Sequence, residues 1–158
     1  MRIIFAAFSI LAASSLQAQK LDVQSLESIL NASFNSADST LRKMKFGLAD
    51  RDFGEGYYNY YYTSYEKVEK NEQLLRSLSF MDVFTASDTS RLILYRTYNK
   101  KDQEEIVKQM LATGYQLTKR EGNNYIYKKE NFTITNKISE KNLSGGKPIT
   151  AYEFELGR

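Results

Sequence analysis

The chain has no cysteine, no histidine, no tryptophan and one proline in 158 residues. Without cysteine there is no disulfide framework and no lipidation thiol, so stability must come from packing. Without histidine the chain lacks the side chain that titrates near neutrality and the commonest transition-metal ligand, which removes much acid–base and metal chemistry. Long hydrophobic runs are missing as well. The clearest one, Ile3 to Leu11 broken by Ser9, falls short of the roughly 20 apolar residues of a membrane span.

That run follows Met1-Arg2 and leads into Leu16-Gln17-Ala18, with a small residue before a plausible cut. A positive start, an apolar middle and a small-residue end make the pattern of a secretory signal peptide over residues 1–18. The expected product begins near Gln19, is periplasmic or secreted, and has no membrane span in its mature form. Losing Arg2 with the signal leaves 21 basic against 19 acidic residues, with the signs interleaved along the chain. A nucleic-acid binder would show a clustered basic excess, so that class is set aside. Residues 19–158 have the size of one domain with one core.

Apolar spacing of three and four places Val23, Leu26, Ile29 and Leu30 on one helix face, and Phe34, Ala37, Leu41 and Met44 continue it. Asp22 is placed to cap the first piece, and a break near Asn31 to Asp38 is expected, with Asp38 capping the second. From Phe46 the period becomes two. Strands are expected at about 46–53, 57–65, 76–86 and 91–98, then a helix from Asp102 to Thr113 ended by Gly114, then strands near 115–120, 124–129, 131–138 and 149–156. The loop Asn142 to Pro148 separates the last two. The expected core comprises Leu26, Leu30, Leu41, Met44, Ile106, Met110, Phe132, Ile134, Ile138, Phe154 and Leu156.

A shift of 69 residues superposes Leu41 on Met110, Phe46 on Tyr115, Leu48 on Leu117 and Arg51 on Arg120. The predicted fold is therefore α+β, two tandem units of helix plus antiparallel meander, about 22–98 and 99–158, with the helices on one face of the sheet. The order of elements and the repeated strand start, Phe46-Gly47-Leu48 and Tyr115-Gln116-Leu117, resemble the β-lactamase-inhibitory protein family. That resemblance implies a concave sheet that grips another protein. The disulfides expected in such repeats are absent here and no residue matches an inhibitory contact, so it implies an architecture and not an activity.

The most unusual segment runs from Tyr57 to Tyr65, with six tyrosines in nine positions: Tyr57, Tyr58, Tyr60, Tyr61, Tyr62 and Tyr65. In a strand Tyr58, Tyr60 and Tyr62 share one face and Tyr57, Tyr61 and Tyr65 the other, so both faces become aromatic. One use of such a row is cross-strand packing; the other is recognition of a protein or glycan by rings with an apolar body and a polar tip. Asp50, Asp52 and Glu55 form the only carboxylate cluster with a conceivable chemistry, hydrolysis by paired acids. Asp50-x-Asp52-x-Gly54 lacks the spacing of a calcium loop, and Gly54-Glu55-Gly56 reads as a hairpin turn. The expected function is a non-catalytic binding protein that uses the tyrosines and has no cofactor and no metal. A small hydrolase acting through Asp50, Asp52 or Glu55, and a carrier of apolar ligands, are the alternatives.

Overall fold

The computed structural model describes residues 21–68, 71–85, 89–141 and 148–158, with 66–68 and 71–75 as backbone only. Residues 1–18 and most of the Asn142 to Pro148 loop lie outside the described residues. Asp22 caps α1 (Val23–Asn31), its carboxylate accepting from the Ser25 amide at 2.7 Å. The chain then turns extended at Ala32, and Ser33 caps α2 (Phe34–Lys43) by accepting from the Ser36 amide at 3.3 Å.

The break falls at Ala32–Ser33, within the expected stretch, but Asp38 caps nothing. It lies inside α2, where its carboxylate accepts from Arg42 Nε at 2.7 Å and from the Tyr62 hydroxyl at 2.8 Å. Fully buried Ala37 and Leu41 have to share one helical face, which a cap at Asp38 would divide, and the carboxylate satisfies a hydroxyl on a buried ring. The third helix, α3 (Lys100–Ala112), is capped by Asn99, which accepts from the Lys101 amide at 2.9 Å.

Eight strands form one antiparallel sheet: β1 (Gly47–Gly54), β2 (Tyr57–Val68), β3 (Asn71–Phe84), β4 (Thr89–Thr97), β5 (Gln116–Glu121), β6 (Asn124–Lys129), β7 (Phe132–Lys141) and β8 (Ile149–Gly157). Their order is β1-β2-β3-β4-β8-β7-β6-β5, two four-stranded meanders joined along β4 and β8. The β2–β3 hairpin is longer than expected, pairing out to Val68 and Asn71. Period-two patterning fades there.

The two halves repeat each other at the shift of 69. Phe46 donates its amide to the Leu41 carbonyl and Tyr115 donates to Met110, each at 2.9 Å. The residue before each is left-handed, Lys45 at φ 62° and Gly114 at φ 97°. Each edge strand then has a register shift, after Leu48 and after Leu117. Beyond it Arg51 opposes Tyr60 and Arg120 opposes Tyr125.

Among the described residues the three helices sit on one face. That face carries Tyr62, Leu78, Phe80, Ile93, Tyr95, Tyr127, Ile134, Phe154 and Leu156, packed beneath Leu26, Ile29, Leu41, Ile106 and Met110. Most of the expected core is buried. Met44, Phe132 and Ile138 are only half-buried, because they lie at the margin of helical cover, Met44 just past α2 and Phe132 at the start of β7. Phe132 meets cations instead, with Lys129 Nζ at 5.7 Å and the Arg158 guanidinium at 5.2 Å from its ring.

Candidate functional site

Strand alternation divides the tyrosines as their parity requires. Tyr62 is fully buried under α2 and bonded to Asp38, so it belongs to the core. Tyr60 is half-buried against Phe34 at 4.5 Å and Phe80 at 5.0 Å between ring centroids. Tyr58, on the same face but beyond the helices, is 45% exposed and makes edge contacts with Phe53 and Phe84 at 5.3 and 5.1 Å.

The other three point to the opposite face, which no described helix covers. Tyr57 and Tyr61 are partly exposed there and Tyr65 is 55% exposed. Register extends this surface across the sheet. Tyr57 opposes Val83, Asn59 opposes Met81 and then Leu92, and Tyr61 opposes Ser79 and then Leu94. All of these side chains are partly exposed. Sequence reasoning missed Met81, Val83, Leu92 and Leu94. The available signal was the run Leu92-Ile93-Leu94-Tyr95, which is apolar at both parities and so must place apolar groups on both sides of the sheet.

Towards the second meander the same face becomes polar. Glu153, buried on β8, accepts from Arg96 Nε at 2.7 Å, with Lys141 Nζ 3.7 Å away and the Ser139 hydroxyl at 3.5 Å. Burial pushes its carboxyl upward, but the hydrogen bond and charge of Arg96, with Lys141 and Lys137, outweigh that and hold it below the ordinary carboxylate range. A depressed folded value stabilises the fold above the unfolded carboxyl value, about 4.3, and that contribution is lost as pH falls through the folded value. Glu153→Gln is therefore expected to flatten the acid limb of stability. Urea midpoints measured between neutral pH and about 3 should fall less steeply than in the parent. Asp38, also held low by Arg42, contributes in the same sense and remains in the variant.

Asp50 and Asp52 lie on the helix-free side of edge strand β1, both exposed, and Glu55 is in the following turn, also exposed. A strand followed by a two-residue turn does not wrap an ion, and the three acids lie along the sheet edge. Asp52 instead accepts from the Tyr57 hydroxyl at 3.1 Å, and this bond raises the Tyr57 phenol above its usual range. Two hollows in the described surface lie elsewhere. One of about 400 Å³ is bounded by the end of α1, Asp82, Arg91 and Arg158. Another of about 230 Å³ lies between the start of α1 and the end of α3. In the first, Arg91 is already engaged, by Asp82 and by the carbonyls of Ile29 and Ala32.

No family profile, curated protein or solved structure matches this chain. No described helix is long and apolar enough to cross a membrane.

Proposed function

We propose that this is an exported, non-catalytic binding protein that engages a protein or glycan partner with the helix-free face of its sheet. The observation that carries the reading is the placement of Tyr57 and Tyr61 on that face, in register with Met81, Val83, Leu92 and Leu94 and uncovered by any described helix, with Tyr65 exposed further along the strand beyond buried Thr63. Scattered exposed apolar groups are ordinary, whereas a contiguous aromatic and aliphatic patch beside polar neighbours has the composition of a recognition surface. Tyrosine suits it because a rigid, amphipathic ring gives contact area at low entropic cost. Export follows from the reading of residues 1–18.

The test compares two double variants of the full chain, Tyr57→Ala/Tyr61→Ala on the helix-free face and Tyr58→Ala/Phe84→Ala at the margin of the other. Cross-linking capture in extracts of the native host, quantified by mass spectrometry, should fall at least about tenfold for the first pair only, a loss of ~1.4 kcal/mol or more in binding. Its melting temperature should hardly move, since surface substitutions away from special features change stability by about 0.5 kcal/mol or less. Unchanged capture, or a collapsed melting temperature in the first pair, would overturn the reading.

A further inference from the structure

We infer that the β1–β2 margin of this face is a site for a neutral oligosaccharide, an inference that rests on the recognition reading above and names its ligand. The decisive feature is the posture of Tyr57. A Cβ built on Gly54 would fall 2.2 Å from Cε1 and 2.5 Å from Cζ of that ring, and the hydroxyl reaches on to Asp52 at 3.1 Å. The ring therefore lies down across the edge strand, in space that glycine alone leaves open, and Asp52 holds its tip. Tyr57 stays partly exposed in this posture, and an exposed aromatic ring is what the C–H face of a pyranose stacks on.

The groups around it fit hydroxyls. Asp52 opposes Asn59 and Asp50 opposes Tyr61, all on the same face, so acids, an amide and a second ring follow Tyr57 along the strands. Among the described residues no cation lies within salt-bridge distance of Asp50 or Asp52. An apolar protein surface laid over them would strip water from two carboxylates and return nothing, which is costly. Sugar hydroxyls would donate to both, in charge-assisted hydrogen bonds. The same two charges repel an acidic sugar. Tyr57 and Tyr61 are four residues apart, about 13 Å along a strand, which calls for a chain of sugars and not a single ring.

The experiment is a glycan array followed by calorimetry on the full chain with cellopentaose, chitopentaose and, as the acidic counterpart, penta-galacturonate. Binding to a neutral oligosaccharide is expected, with little or none to the acidic one. Gly54→Val retains both tyrosines, adds a good strand former and evicts the Tyr57 ring. It should weaken neutral binding at least about tenfold, as should Tyr57→Ala, with melting curves like the parent's. Equal binding of the acidic sugar, or neutral binding indifferent to Gly54→Val, overturns the inference. If no oligosaccharide binds while extract capture still depends on Tyr57 and Tyr61, the partner is a protein and only this inference falls. If capture is also indifferent, the recognition reading falls with it.

Discussion

Asp102→Ala is expected to destabilise the fold by about 3–5 kcal/mol, the usual cost of stranding one member of a buried ion pair. Arg76 on β3 donates from Nε at 2.8 Å and from Nη2 at 2.6 Å to Asp102 Oδ2 in the first turn of α3. The two side chains are only 6% and 3% exposed, and Thr97, fully buried, adds a longer bond from its hydroxyl at 3.5 Å. Removing the carboxylate leaves a guanidinium that water cannot reach. The acid also sits at the N-terminal end of a helix, where its charge is favourable. Chemical denaturation of Asp102→Ala measures the loss, and the double variant Arg76→Met/Asp102→Leu should recover most of it, because an apolar pair of similar volume needs no desolvated charge. A loss below about 1 kcal/mol for Asp102→Ala would show an ion pair behaving as if solvated, and would contradict the burial.

Phe154→Ala should cost a similar amount, about 3–5 kcal/mol, for a different reason. The ring is 1% exposed and stacks on Tyr95 with centroids 6.2 Å apart. It lies on β8 opposite Tyr95 on one side and Asn136 on the other, at the seam where the two meanders meet. Truncation leaves a cavity between two paired strands under the helical layer, where the surroundings collapse poorly. Ile134→Ala, one row along the same face, should lose about 2–5 kcal/mol by the same mechanism. Denaturation midpoints check both. A loss under about 1 kcal/mol would place the side chain outside the core.

Much of this architecture was legible because its signals are local. Period three-and-four spacing marked α1 to α3, alternation marked Phe132 to Ile138 and Tyr152 to Leu156, and glycine at 114 marked the end of α3. The same locality explains the misses. The sequence pattern puts the second cap at Asp38, but Ser33 is the cap, and Asp38 is engaged by the Tyr62 hydroxyl, a partner 24 residues away. Met44, Phe132 and Ile138 have the right parity and the right chemistry, but they lie where helical cover ends, and no pattern along the chain records that limit. Tyr57's posture is less legible still, since it depends on a glycine across a hairpin.

By itself the sequence determined the α+β class, the repeat at 69 residues, the positions of the elements and the two parity sets of tyrosines. All of these follow from backbone periods and turn chemistry that act over a few residues. In β2 and β4 it did not determine which parity would meet the helices. In β2 both sets are tyrosine, and in β4 Leu92 and Leu94 are as apolar as Ile93 and Tyr95, so hydrophobicity gives no preference. Only the tertiary structure decided it: contacts between distant segments, Asp38 to Tyr62, Asp102 to Arg76 and the β4–β8 seam, fixed the side on which the helices close. Tyr57, Tyr61 and Tyr65 are outside because the opposite parity was already claimed by these bonds.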